Sequence, residues 1–438
     1  MRDAVWQVAN HLGVVAGTPG ELLTALLAGP RRTVRVPLPP DHDLVRTLRP
    51  LIDVVAEGTP TPPAATRVDP APDDLSDPAP VDLADPAPVD LAAPAPDDLS
   101  GPAPVDLAAP APVDLADPAP DDLSDPAPVD LAAPAPVDLA DPATVCAADP
   151  LRLTRAYEAD PDPHGGLRAA WLRAGQSLVR DQAPADRALV LLAALDDAAD
   201  PRVGRALTAL AASAPWSLQW TVRGGCTALT AAPDGRLVKR EHRAPAVACL
   251  PDGTELALDE RGRLHPGPAP ATRLIHAVAA TLAGHPATAL AAMGDTVLTG
   301  DRMGTVHAFS LAGVDQAALH AGRVTALTAT TTVAYSGGTD GTVRAWRPGR
   351  ASGRAATVTS RPCPVVALHA TARLLAVAWA DGLAELHHLA DGRTVPFRPG
   401  PRIHAVAVTD EGSLVVGMDD ALVCLASDRS RGAATASP

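Results

Sequence analysis

Two stretches 37 residues apart are near copies: Gly304-Thr-Val-His-Ala-Phe and Gly341-Thr-Val-Arg-Ala-Trp. A third, Gly382-Leu-Ala-Glu-Leu-His, follows after 41 residues, and Asp420-Ala-Leu-Val-Cys-Leu comes 38 later. Gly262-Arg-Leu-His stands 42 residues before the first. Each is a turn residue followed by apolar and polar positions in alternation, the period of a half-buried strand. A period near 40 built from such strands means small sheets that cannot bury a face alone and must stack around a ring, so residues 216–427 are expected to form a β-propeller. The pattern accounts for five blades and part of a sixth, within an expected range of five to seven. Pro233-Asp234-Gly235 and Pro251-Asp252-Gly253 mark turns only 18 residues apart, too close for two complete blades.

A second repeat constrains the chain in the opposite sense. From Pro70 to Asp141 an eight-residue unit of the type PAPVDLAD runs nine times without a gap. Two prolines per unit remove backbone donors, and one Leu with at most one Val offers too little apolar area to offset the ordering entropy. Extended chain is expected over 61–145. The variant DDLS recurs at Asp73, Asp97 and Asp121, the trace of a 24-residue duplication. The repeat holds 17 Asp and no basic residue, while the whole chain carries −15, so the remainder is near +2. Lys239 is the only lysine. With the acidity confined to the repeat, no basic stripe exists to follow a phosphate backbone, and nucleic-acid binding is not expected.

The flanks of the repeat read as helical. Thr18-Pro19-Gly20-Glu21 has the form of a capping box, a strand candidate covers Thr33 to Val36, and a helical period resumes as far as Glu57. Between Pro150 and Ala214, Asp149-Pro150, Pro184 and Asp200-Pro201 mark helix starts. The expected organisation is multidomain and mainly β: a helical segment over 1–60, the disordered repeat over 61–145, a helical adaptor over 146–215, the propeller over 216–427, and a disordered tail over 428–438. The repeat would then space two folded parts.

The stretch HAGRVTALTATTTVAYSGGTDGTVRAW, from His320 to Trp346, resembles the WD-repeat family in the order of its loop His, two strands, Asp turn and closing Trp. The resemblance implies that His320, Ser336, Asp340 and Trp346 form the family's structural hydrogen-bond tetrad. In the preceding blade His285 and Thr299 match, with Met303 in the Asp position and Phe309 in the Trp position. Asp381 matches in the following blade with His387 for Trp, and Asp419 in the last with Leu425 for Trp. The family commonly closes with seven blades and binds peptides or proteins on the face around its channel. By position, the turns between second and third strands offer Arg302, Thr339 and Ala380 as candidate face residues. The helices are similar to pieces of the actinobacterial-type regulators that join a signal-transduction P-loop NTPase to WD repeats. Here GxxxxGK[ST] is absent.

Chemistry has few footholds elsewhere. The sequence has neither a G-x-S-x-G elbow nor H-E-x-x-H. Asp41, His42 and Asp43 read as a polar turn, and His387 and His388 fall on opposite faces of a strand. Five separated cysteines read as buried thiols in a reducing cytoplasm, and the longest apolar run, Ala188 to Leu195, is too short to span a bilayer. The expected protein is a non-enzymatic scaffold for a protein or peptide partner, with no cofactor, metal or membrane. The alternative is a degenerate or truncated ATP/GTP-binding regulator that has lost its P-loop domain.

Overall fold

The computed structural model describes residues 1–28, 34–49, 54–56, 137–242, 244–268, 270–349 and 355–427. Most of the octapeptide repeat and the 428–438 tail lie outside the described residues. Before the repeat come α1 (Arg2–Leu12), α2 (Pro19–Ala28), β1 (Val34–Val36), α3 (Asp43–Leu48) and β2 (Val54–Ala56). β1 falls where the strand candidate was expected, while β2 stands where the helical period was expected to run on to Glu57; the two pair in parallel, so this segment is a small α/β layer with a core of Val5, Val8, Leu22, Leu44 and Val45. The capping box at α2 forms with one change. Thr18 Oγ1 accepts the Glu21 N–H at 3.2 Å, but the Glu21 carboxylate reaches the Gly17 N–H at 2.7 Å rather than that of Thr18. His42 caps α3, its Nδ1 accepting the Leu44 N–H at 3.1 Å.

From Val137 onward the last octapeptide already belongs to the fold. Asp141 caps α4 (Pro142–Ala147), accepting the Thr144 N–H at 2.9 Å, and the Leu139 carbonyl accepts the Tyr157 hydroxyl at 2.8 Å. Asp149 and Asp200 cap α5 (Pro150–Ala159) and α8 (Pro201–Leu210) in the same Asp-Pro manner, as the sequence predicts. Between them run α6 (Leu167–Leu178) and α7 (Pro184–Ala194). Residues 1–59 and 136–438 constitute one compact unit. The repeat is therefore an insertion whose flanks both enter the same folded body, and it does not space two folded parts. The junction between the flanks is polar at its edge and tight at its centre. The Gln176 amide serves Ala16 N–H (2.9 Å), Val14 C=O (2.6 Å) and Asn10 Oδ1 (3.2 Å). A Cβ on Gly175 would stand 2.0 Å from the Trp6 ring, so only glycine admits this Trp, which is 2% exposed.

β3 (Trp216–Arg223) opens the propeller. A hairpin follows, β4 (Ala228–Ala231) and β5 (Leu237–Arg240), then a three-stranded sheet of β6 (Ala246–Cys249), β7 (Glu255–Leu258) and β8 (Leu264–Pro266). α9 (Arg273–Gly284) succeeds β8 where a fourth strand would stand. Three four-stranded antiparallel sheets then follow in sequence order. They are β9–β12 (Ala289–Met293, Thr296–Gly300, Thr305–Ser310, Gly313–Ala318), β13–β16 (Val324–Ala329, Ala334–Gly338, Thr342–Trp346, Ala356–Ser360) and β17–β20 (Val365–Ala370, Leu374–Trp379, Ala384–His388, Thr394–Phe397). In the last sheet β21 (Ile403–Val408), β22 (Leu414–Met418) and β23 (Ala421–Ser427) take β3 as their outer strand, which ties the start of the propeller to its end. Among the described residues these are five blades of three or four strands, with the β4–β5 hairpin as a narrow sixth sector. The first strands β4, β6, β9, β13, β17 and β21 touch in succession, and β21 meets β4, so the ring closes without seven blades.

The recurring glycines explain the 40-residue period. At Gly304 and Gly341 the turn before the third strand needs φ of +93° and +71°, and an added Cβ would lie 2.1 and 2.0 Å from the His320 and Arg361 carbonyls of the next blade's entry loop. Neighbouring blades are stitched by threonines: Thr288 Oγ1 donates to Val324 C=O and Thr325 Oγ1 to Val365 C=O, both at 2.6 Å. Trp171, Trp216, Leu386, Val416 and Val423 belong to a single core, so the helices and the last two blades fold against each other.

Candidate functional site

One face of the ring carries the turns between second and third strands together with the loops entering each first strand. Each blade from the three-stranded sheet onward holds an Asp in this turn, tied to a basic side chain. His265 Nε2 lies 2.9 Å from Asp259, His307 Nε2 3.2 Å from Asp301, and His404 Nε2 2.6 Å from Asp419. In the β13–β16 blade the partner is His320. Its Nδ1 is 3.0 Å from Asp340 and its Nε2 accepts from Ser336 Oγ at 2.8 Å. Asp340 also accepts the N–H groups of Thr342 and Ala321, both at 3.1 Å.

Three of the four residues assigned to a tetrad are thus brought together, and Thr342 completes the group, its hydroxyl 2.9 Å from Asp340 and 3.1 Å from His320 Nδ1. Trp346 makes no hydrogen bond to these groups among the described residues. It is buried with Leu298, Val306, Val324 and Leu327 at the seam with the preceding blade. Burial pulls the His320 pKa below its ordinary value, more than the Asp340 carboxylate raises it, so the imidazole is neutral, donating from Nδ1. Asp340 is itself burdened by burial, but the N–H groups of Thr342 and Ala321 and the Thr342 hydroxyl outweigh this and hold its pKa low. The network is closed within the blade and ties the entry loop, the second strand and the turn before the third to one another.

In the β9–β12 blade the sequence pattern points to Met303, yet Asp301, two residues earlier, fills the role: its carboxylate accepts the Met303 and Thr305 N–H groups at 2.8 and 2.9 Å. His285 ends α9, exposed, and takes no part. The spacing D-x-x-G, shared with Asp259 to Gly262, was the signal that could have found it. In the β17–β20 blade Arg361 stands 20 residues before Asp381, the same separation as His320 from Asp340, and bonds it at 3.0 Å. Arg398 adds bonds at 2.7 Å to both the carboxylate and the carbonyl of Asp381. Burial raises the Asp381 pKa, but Arg398 first and Arg361 next bring it below the ordinary value.

The three candidate face residues do not share one surface. Arg302 and Thr339 are exposed, and they are joined through Arg323, which the sequence reading missed: the Val324 N–H donates to Asp301 C=O at 2.9 Å and the Thr339 N–H to Arg323 C=O at 3.0 Å. Toward the three-stranded sheet this backbone rail continues, with Thr288 N–H on Gly300 C=O (2.7 Å) and Ala287 N–H on Gly262 C=O (3.0 Å). Ala380 is half-buried and its neighbours Asp381 and Gly382 are buried. The loop after α1 covers them. Val15 lies over Gly382, where a Cβ would come 2.9 Å from its methyl. Farther along, Ser177 Oγ donates to Arg398 C=O at 2.8 Å and Arg173 pairs with Asp420 at 2.7 Å. A cleft of about 380 Å³ remains there, lined by Trp6, Glu21, Arg173, Gln176, Arg402 and Asp419.

On the opposite side, His369 at the end of β17 is buried. Its Nδ1 accepts the Val408 N–H at 3.1 Å and its Nε2 lies 3.4 Å from the Ala231 nitrogen, so one imidazole links the β17–β20 blade, the last blade and the hairpin. Burial pushes its pKa down to about 4.

No family model matches this chain, and no curated protein matches it. Similar solved structures include the computationally designed Ika8 protein, 18% identical over 46% of this chain and 70% of that one, with a TM-score of 0.33. The computationally designed Ika4 protein is 23% identical over 33% of this chain and 91% of that one, with a TM-score of 0.29. The fold rests on the strands themselves: this is a five-bladed β-propeller with an added hairpin, an architecture commonly used as a protein-interaction scaffold. No helix of the described residues is long and apolar enough to cross a membrane.

Proposed function

We propose that this protein is a non-enzymatic, WD-repeat-like scaffold that binds a protein or peptide partner on the open part of its turn face, across the rail that carries Arg302, Arg323 and Thr339. The observation that supports this reading is the contrast between neighbouring sectors: the Asp381–Gly382 turn of the β17–β20 blade is buried beneath the loop after α1, whereas Arg302 and Thr339 in the corresponding turns of the two blades before it are exposed. A role in signalling or regulation belongs to the same proposal through the family resemblance, and a cytoplasmic location through the five separated cysteines read as thiols.

The test is selection of displayed random peptides on the immobilised full chain, followed by binding of the enriched peptides to Arg302→Ala, Thr339→Lys and Ala380→Lys variants. Peptides that lose affinity for the first two and keep it for the third support the rail. Failure to enrich any peptide, or binding indifferent to Arg302 and Thr339, sinks the reading.

A further inference from the structure

The exposed cations of the open rail stand apart from carboxylates, as Arg202, Arg205, Arg273 and Arg373 do elsewhere. Arg155, Arg173, Arg236, Arg240, Arg361 and Arg398 each pair with a carboxylate. Arg261, Arg302 and Arg323 are exposed and form no ion pair with any described residue, although an Asp stands in each neighbouring turn. Those carboxylates are already engaged. Asp259 accepts the Arg261 and Arg263 N–H groups at 2.9 Å each and meets His265, while Asp301 and Asp340 are held by their own turn amides and histidines. Backbone dipoles answer the carboxylates within the turns, which leaves the guanidinium groups as the outward charge, with Glu260 as the exposed acid among them. Beside Arg302, Met303 projects with 81% of its surface exposed.

We infer that the rail takes an extended acidic peptide carrying at least one apolar residue, its carboxylates set on Arg261, Arg302 and Arg323 and its apolar side chain against Met303. This rests on the rail being a peptide-binding surface. The backbone hydrogen bonds from Gly262 through Asp301 to Thr339 set the order in which the cations follow one another across neighbouring blades, and guanidinium offers paired donors suited to carboxylates. A nucleic acid is the poorer fit, because the rail segments 259–263, 285–288, 301–304, 319–323 and 338–341 contain no Trp, Tyr or Phe on which a base could stack.

The experiment uses the full chain and a short fluorescein-labelled peptide of alternating Glu and Leu-Gly units, with a Gln-for-Glu counterpart and a labelled single-stranded oligonucleotide as probes in fluorescence anisotropy. The expected result is that the Glu peptide binds and the Gln peptide binds at least about tenfold more weakly, with affinity falling steeply between about 50 and 500 mM salt. Arg302→Glu with Arg323→Glu should weaken binding by about tenfold or more, while Arg202→Glu on α8 leaves it unchanged. Equal binding of the Gln peptide, tighter binding of the oligonucleotide, or indifference to the double reversal overturns the inference. If displayed-peptide selection still yields neutral binders that depend on Arg302 and Thr339, the acidic specificity fails and the peptide surface stands. If no peptide binds at all, the surface itself fails.

Discussion

The β13–β16 and β17–β20 blades solve the same problem with different groups. Both hold a turn Asp by a basic side chain 20 residues upstream, but one uses a neutral His320 at an open turn and the other two arginines, Arg361 and Arg398, under a cover. At the open turn the network is closed within the blade, and Thr339 beside it faces solvent. At the covered turn Asp381 is 6% exposed, and two guanidinium charges share its carboxylate. The same strand-building chemistry thus serves a surface in one sector and a docking seam in the next, and the helices decide which.

The comparison can be broken most directly at the cover. Trp6→Ala removes the ring that Gly175 accommodates and should cost about 3–5 kcal/mol, read by thermal unfolding. Hydrogen exchange should then quicken at 380–383 and stay slow at 339–341; equal quickening at both turns would mean that the sectors are not distinct. Next in size, Asp381→Ala leaves two partly buried guanidinium groups without their partner and should cost about 3 kcal/mol. Asp340→Ala, which strands a neutral imidazole and turn amides, should cost about 1–2 kcal/mol. Equal losses from the two would remove the distinction drawn between the turns.

The pH dependence is of similar size. His369 and His320 titrate in the folded chain below the ordinary imidazole value of 6.5. The unfolded chain therefore binds protons that the folded chain refuses, and stability is full above about pH 6.5 and declines as pH falls below it. For His369 the decline continues to about pH 4 and amounts to about 3 kcal/mol. Denaturant unfolding at a series of pH values should show this slope flattened in His369→Gln, whose amide can still accept the Val408 N–H. An unchanged slope would remove His369 from the account. The smallest effect is expected on the rail: Arg302→Glu and Arg323→Glu should each shift stability by no more than about 0.5 kcal/mol, because neither side chain has a partner to lose. A larger change would show that the open sector is part of the scaffold rather than a free surface.

What the sequence by itself determined is local. Its alternation and 40-residue period specify small sheets, its D-G turns specify where strands reverse, and its Asp-Pro pairs specify where helices start, because each depends on the backbone preferences of adjacent residues. His320, Ser336 and Asp340 could be grouped for the same reason, since they lie within one blade. Asp301 was also legible, as a D-x-x-G turn, once Asp259 is set beside it. The arginines were not: Arg361 and Arg398 replace a histidine by charge rather than by type, and only the folded blade brings both to Asp381. Nor could the repeat reveal that its flanks meet, since a composition that cannot fold says nothing about where its ends are held. Tertiary structure alone decided that Trp6 fits over Gly175, that Val15 closes over Gly382, and that Ala380 is removed from the face while Arg323 is added. Those outcomes depend on contacts between residues far apart in the chain, where shape and space, not local pattern, select the partner.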